Sequence, residues 1–364
     1  MTSIQRRIPV GTAYDVLVGR DLARLLPSIL GDKVQRVALV FPEPLQELAA
    51  PVVDVLSEQY DLLQTALPDG EESKTLEVAG AVWEALGEAG FTRSDAVVTF
   101  GGGATTDVGG FIAAAWLRGV RVVHIPTTLL AMVDAAVGGK TGINTSAGKN
   151  LVGAFHEPAA VLCDLDLLRT LPQAELVAGL GEVIKCGFIA DRRILELVGA
   201  APQGSITADS AVLAELVERA IQVKADVVAA DLKETGGANG HPGREALNYG
   251  HTLAHAIEKH ENYRIRHGEA VAIGCVFAAE LAQRCGVLDP ATVELHRAAF
   301  GRVGLPISYP AATFDQLIGA MRLDKKTRGS VLRFLVIHQL EQPAILSGPP
   351  EEALRAAYAA VSGR

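Results

Sequence analysis

The first half of the chain sets short strand-like runs between helical patterns, and that alternation constrains the fold more than any other feature. The runs are 14–19 (YDVLVG), 36–41 (RVALVF), 60–67 (YDLLQTAL), 95–103 (DAVVTFGGG) and 121–126 (RVVHIP). Helical patterns such as 72–89 lie between them, and 159–168 (AAVLCDLDLL) reads as one more strand and a turn. Strand and helix in alternation pack as a parallel sheet with crossover helices. After about residue 172 the periodicity becomes helical over 173–187, 209–232, 244–260, 268–284, 291–303, 313–322 and 350–361, with one strand pattern at 331–337. A chain of 364 residues exceeds the usual size of a single core. The expectation is an α/β N-terminal domain with a parallel sheet over 1–171, then a mostly α-helical domain over 172–364. The Gly-rich stretch 235–243 (TGGANGHPG) reads as a loop.

Charge and cysteine usage narrow the function. The formal net charge is −9, whereas chains that wrap nucleic acid or anionic membrane are normally basic. Neither partner is expected, although a few Lys and Arg can still line a cleft for an anionic small molecule. Cys163, Cys186, Cys275 and Cys285 show no C-x-x-C spacing and sit among apolar neighbours, as reduced thiols do. The opening MTSIQRRIPVG has no apolar signal core, and no apolar run is long enough to span a bilayer. A cytoplasmic location is expected.

Two stretches carry the marks of a phosphate-binding site. In VVTFGGGATTDVGGFIAA a strand runs through three glycines into a helix. Gly permits close backbone approach, and a helix N-terminus offers free N–H groups and a positive dipole end. HIPTTLLAMVDAAVGGKTGIN again follows a strand, with Thr127 and Thr128 at a helix start, then Asp134 and Lys140, and further on Lys149 and Asn150. Asp134 stands alone inside LLAMVDAAVGG. A carboxylate in so apolar a setting is costly unless paired, so a site is favoured over a solvated loop.

The third signal is histidine. Three of the nine histidines, His251, His255 and His267, fall in LNYGHTLAHAIE and the RHGEA that follows. If 244–258 is one helix, Arg244, Asn248, His251, His255 and Glu258 form a single polar stripe. Glu182 and Lys185, three apart in GLGEVIK, share another face in an apolar segment. Two His and a Glu from different segments match a three-ligand zinc site with one open position. Spacing leaves the pair open: His251 with His255, or His251 with His267.

Taken together, GGGATTDVGGF, IPTTLLAMVDAAVGGKTGIN, GKNLVGAFHEP, GLGEVIK, LNYGHTLAHAIE, RHGEAVAIG and DKKTRG resemble, in order and over nearly the whole chain, the 3-dehydroquinate synthase family of sugar phosphate cyclases. The resemblance implies a homodimer that binds NAD on the α/β domain and one divalent metal ion, zinc or cobalt, on the helical domain, with the active site in the cleft between them. The implied metal ligands are Glu182, His251 and His267, which leaves His255 as a proton-transfer group. NAD contacts would fall at Asp69, Glu71, Lys74, Gly102, Gly103, Asp107, Thr127, Thr128, Lys140, Lys149 and Thr170.

For the substrate, the resemblance implies a carboxylate pocket at Lys224, Arg244 and Asn248. It implies a phosphate pocket at Lys140, Asn150 and Lys325, with Arg118 reaching in from the other subunit, and Lys185 also among the substrate contacts. Asp134, Lys140 and Glu234 would join His255 in catalysis. The implied substrate is an anionic sugar phosphate, 3-deoxy-D-arabino-heptulosonate 7-phosphate (DAHP). It would be oxidised transiently by NAD, lose phosphate, be reduced again and close by an aldol reaction to 3-dehydroquinate, in the shikimate pathway to the aromatic amino acids. An amino-dehydroquinate synthase or another secondary-metabolism cyclase is the alternative, followed by a metal-dependent polyol dehydrogenase. The chain departs from the family's usual pattern at Leu232 and Ala254 and in a longer 235–243 connection.

Overall fold

The strand runs of the first half build one sheet. The computed structural model describes residues 2–237, 242–324 and 332–363, and these divide into two compact units: Met1–Leu171 with Lys224–Ala229, and Pro172–Val223 with Ala230–Arg364. In the first unit the strands are β1 (Ser3–Val10), β2 (Tyr14–Arg20), β3 (Arg36–Pro42), β4 (Asp61–Leu67), β5 (Ala96–Gly101), β6 (Arg121–Pro126), β7 (Lys140–Thr145), β8 (Gly148–Phe155) and β9 (Ala160–Asp164). Helices α1 (Leu26–Leu30), α2 (Ala50–Ser57), α3 (Leu76–Glu88) and α4 (Gly103–Ala115) connect them.

Seven strands form the sheet β1-β2-β9-β6-β5-β3-β4. Every pairing is parallel except β1 with β2. Alternate side chains of β3 feed two layers, because successive residues of a strand face opposite ways. Val37, Leu39 and Phe41 pack with α1 and α2, while Ala38 and Val40 pack with α3 and α4. The chain leaves β3 for the β4 edge and leaves β5 for β6 on the other side. The C-terminal ends of β3 and β5 therefore mark a topological switch point, where doubly wound sheets bind ligands.

The second unit is helical, with α5 (Gln173–Ile189), α6 (Arg192–Ala200), most of α7 (Ala211–Ala230), α8 (His251–His260), α9 (His267–Arg284), α10 (Pro290–Arg302), α11 (Phe314–Asp324) and α12 (Glu351–Val361). A two-stranded hairpin, β10 (Arg333–Ile337) with β11 (Pro343–Ser347), completes it. Among the described residues no helix is long and apolar enough to cross a membrane.

The α/β-then-helical expectation holds, with local corrections. β1 carries charged, mostly exposed side chains and gave no apolar pattern. The hairpin β7–β8 is rich in Gly, Lys and Asn, which hid two strands in what read as a site loop. The helix expected over 72–89 starts at Leu76, behind a 3₁₀ turn at Gly70–Ser73, with the Thr75 hydroxyl capping Val78 N–H at 3.2 Å. The largest correction is at 244–260. Gly243–Asn248 is a 3₁₀ turn, and α8 begins only at His251, after Gly250 at φ +80°. Arg244 and Asn248 therefore share no helical stripe with the histidines. A Cβ at Gly250 would lie 2.6 Å from Cys275 Sγ and 2.7 Å from Cys275 N, so packing against α9 and the left-handed backbone both demand glycine.

Candidate active site

In the first unit the glycine turn sits at the switch point. β5 ends at Gly101, Gly102 caps α4, and Gly103 opens it, so the unpaired N–H groups of the first turn lie beside the C-terminal edge of the sheet. Thr127 N–H donates to Gly101 O at 2.9 Å, and Thr128 Oγ1 accepts from Ala131 N–H at 3.1 Å. Both threonines thus stand next to the glycines, ahead of the π-helical turn Ala131–Ala135 that holds Asp134.

A polar knot closes this edge. Lys74, 3 % exposed, donates through Nζ to Asp107 Oδ2 at 2.7 Å and to Asn150 Oδ1, and lies 3.7 Å from Glu71 Oε1. Lys149 Nζ stands 3.5 Å from the same Glu71 oxygen, and Asn144 Nδ2 donates to it at 2.7 Å. Burial outweighs Lys74 and pushes Asp107 up to about 6. For Glu71 the balance is reversed. Burial raises it, but Lys74, Asn144 and Lys149 together hold it below the usual carboxylate range. Asn150, expected in the phosphate pocket, is drawn to Lys74 here. Asn144, a bridge from Glu71 to the backbone N–H of Asn150, was missed because one amide in TGIN gives no pattern of its own.

Other expected residues are more dispersed. Asp134 is ion-paired with Lys224, which answers the cost of a carboxylate in an apolar run. Lys140 is exposed at the start of β7, Asp69 is exposed beside the turn that carries Glu71, and Arg118 is exposed at φ +69° after α4. Thr170 donates its hydroxyl to Leu167 O at 2.9 Å. Lys325 lies outside the described residues.

In the second unit three helices bring Glu182, His251 and His267 together, with one ligand atom from each lying within 4.8 Å of the others. Glu182 is 2 % exposed on α5, and the histidines open α8 and α9. Glu182 Oε1 lies 3.5 Å from His251 Nε2 and 3.3 Å from His267 Nε2. Small residues permit this approach: a Cβ on Gly268, next to His267, would lie 1.7 Å from Ala178 O on α5.

The surroundings aim the nitrogens inward. His251 Nδ1 donates to Tyr249 O at 3.0 Å, and His267 Nδ1 donates to Glu258 Oε1 at 3.2 Å. Both Nε2 atoms therefore face Glu182, the arrangement that orients metal-binding imidazoles. Lys185, 1 % exposed, pairs with Glu182 Oε2 and donates to Leu247 O. Buried Glu182 Oε1 accepts no hydrogen bond among the described residues. A buried carboxylate oxygen without a donor, ringed by two imidazoles, fits a divalent cation.

The charges follow from the same geometry. Burial raises Glu182, but Lys185 outweighs it and holds the carboxylate well below its usual range. Burial and Lys185 push His251 well below the ordinary histidine value. Burial opposes the charge on His267, yet the Glu182 and Glu258 carboxylates raise it to about 10. His255 is exposed one turn after His251 and stays outside the cluster, with its ring centroid 5.3 Å from His251 and 6.4 Å from His267. Glu258, within the expected stripe but given no role there, orients His267.

Arg244, 2 % exposed, donates through Nη1 to Leu232 O at 2.7 Å, and Asn248 Nδ2 donates to Glu234 Oε1 at 3.3 Å. These carboxylate-binding candidates and Glu234 therefore form one group.

Comparison with known proteins gives the fold and the family. A solved 2-deoxy-scyllo-inosose synthase, in complex with carbaglucose-6-phosphate, NAD⁺ and Co²⁺, superposes with a TM-score of 0.87 at 23 % identity, over 99 % of each chain. The fold is that of the sugar phosphate cyclases. Family models described as 3-dehydroquinate synthase N-terminal and 3-dehydroquinate synthase C-terminal match residues 64–178 and 179–327. The 3-dehydroquinate synthase of Thermobifida fusca is 55 % identical over 98 % of this chain and 96 % of its own length. That of Streptomyces avermitilis is 54 % identical over 99 % of each. The chain belongs to the 3-dehydroquinate synthase family.

Proposed function

We propose that the protein converts DAHP to 3-dehydroquinate and phosphate, as a cytoplasmic homodimer that uses NAD and one zinc or cobalt ion. The observation that supports it most is the cluster of Glu182, His251 and His267 with its undonated carboxylate oxygen, in a chain of this family. Those three residues would hold the metal, and the glycine turn with Asp69, Glu71, Lys74, Asp107, Thr127, Thr128, Lys140, Lys149 and Thr170 would hold NAD. Bound, the two supply Lewis-acid polarisation of substrate oxygens and a hydride acceptor restored within each turnover.

The protein's own residues hold an anion at each end of the substrate. Arg244 offers a planar fork to the carboxylate, helped by Lys224 and Asn248. Lys140, Asn150, Lys325 and the partner subunit's Arg118 bind the phosphate, and Lys185 contacts the substrate beside the metal ligands. His255 moves a proton at the leaving oxygen, and Glu234 and Asp134 assist by holding substrate hydroxyls.

The test is to mix the protein with DAHP, NAD⁺ and Zn²⁺ and to follow phosphate and NADH together. Catalytic phosphate release without net NADH is expected. Accumulating NADH would indicate a dehydrogenase, and no release with Zn²⁺, nor with Co²⁺ in its place, would refute the proposal.

A further inference from the structure

One buried carboxylate in the second unit has no part in the reaction described so far. Asp231 lies just past α7 and is 7 % exposed. Its Oδ1 accepts from Thr235 N–H at 2.8 Å and from the Thr235 hydroxyl at 3.1 Å. Its Oδ2 accepts from Gly236 N–H at 3.1 Å and Arg244 N–H at 3.2 Å. Four donors on one side chain call for an ionised carboxylate, which accepts at both oxygens and donates at neither. Hydrogen bonds to a charged acceptor are also the stronger kind.

The side chain therefore fastens residues 235–236 and residue 244 to a single point. What it fastens is the carboxylate-binding group. Flanking the two anchors, Arg244 Nη1 reaches back to Leu232 O at 2.7 Å, and Asn248 reaches Glu234, itself at φ +56°. Gly243, just before Arg244, is packed onto the same point at φ +62°, where an added Cβ would lie 2.6 Å from Asp231 Oδ2.

We infer that Asp231 is a positioning residue for substrate carboxylate recognition. By holding the backbone of residue 244 against 235–236, it sets where the Arg244 guanidinium and the Glu234 carboxylate stand. It does not touch the substrate. The role rests on Arg244 being the group that grips the substrate carboxylate, and its effects are confined to that end of the molecule.

Asp231→Asn keeps the shape but turns one acceptor oxygen into a donor that faces N–H groups. The variant is compared with the wild type for DAHP kinetics and for inhibition by 3-dehydroquinate, which has the carboxylate, and by inorganic phosphate, which lacks it. The KM for DAHP and the inhibition constant of 3-dehydroquinate should each rise by about 10-fold or more, from two lost charge-assisted hydrogen bonds. The phosphate inhibition constant, zinc content and NAD content should stay within about two-fold.

Gly243→Ala, which crowds the same anchor without changing charge, should show the same selective pattern and serves if Asp231→Asn does not fold. An unchanged DAHP KM in either folded variant, or a parallel rise in the phosphate constant, would overturn the inference. A wild type that releases no phosphate from DAHP would instead strike the proposed reaction.

Discussion

The substitution Gly268→Ala tests how the three-residue cluster is assembled. The new Cβ would lie 1.7 Å from Ala178 O and 2.6 Å from its carbonyl carbon. Side-chain ends can swing away from such a contact, but a backbone carbonyl within α5 cannot. Relief needs α9 to move from α5 by about 1 Å or more, since real Cβ atoms essentially never approach within 3.0 Å. Gly268 adjoins His267, and Ala178 is one helical turn before Glu182, so the shift falls on two of the three groups. Metal–ligand distances tolerate only about 0.2 Å. Zinc affinity should therefore fall by at least the ~10–100-fold that follows loss of a supporting group. Overpacking should cost about 1–3 kcal/mol of stability.

The assay is zinc occupancy against graded free zinc, alongside a thermal melt. Gly199→Ala on α6, where a Cβ meets nothing within 4 Å, is the control and should change neither zinc affinity nor folding for the worse. A folded Gly268→Ala protein with wild-type zinc affinity would refute the argument that this glycine contact sets the cluster.

Four further outcomes are expected. His267→Ala should lose its metal, and stoichiometric zinc in the purified variant would remove His267 from the ligand set. Arg244→Lys should lose about 2–5 kcal/mol in transition-state binding despite the kept charge, because an ammonium cannot make the planar fork; near-normal kinetics with DAHP would refute it. His255→Ala should retain zinc and NAD yet lose roughly 10²–10⁴-fold in rate, the scale of a general acid–base group, and loss of zinc would instead make it a ligand. Burial, with His156 adding to it, depresses His124 to about 3, so the folded protein keeps this ring neutral while the unfolded chain protonates it below about pH 6.5. The stability this leaves intact above pH 6.5 is lost as pH falls toward 3, by up to about 1.4 kcal/mol per pH unit. His124→Asn should flatten that slope in urea unfolding between pH 7 and 5, and an unchanged slope would refute the assignment.

Local pattern was enough to read the alternation that becomes β2, β3, β4, β5, β6 and β9, because each is an apolar run ended by turn residues. It was enough, too, for the strand–glycine–helix at 101–103 and the change of texture near 172, since backbone preference and burial there act over a few residues. The exposed edge β1 and the exposed strand β8 escaped because they bury too little to leave a pattern, and β7, although half-buried, is too rich in polar residues and Gly to show an apolar run.

The helix starting at 244 failed because its breaking point, Gly250, is set by contact with Cys275, which lies far along the chain. Spacing left His255 and His267 open, and which of them stands beside Glu182 is set by tertiary structure. His251 and His255 are neighbours on one helix at a spacing that suits a metal, whereas His251 and His267 begin different helices. Only packing through Gly268 against Ala178 carries His267 to within 3.3 Å of Glu182, and only the carboxylate of Glu258 turns its Nε2 inward. Spacing along a chain fixes which side chains share a face. Which faces then meet is decided by how closely backbones approach, and that depends on residues remote from one another in sequence.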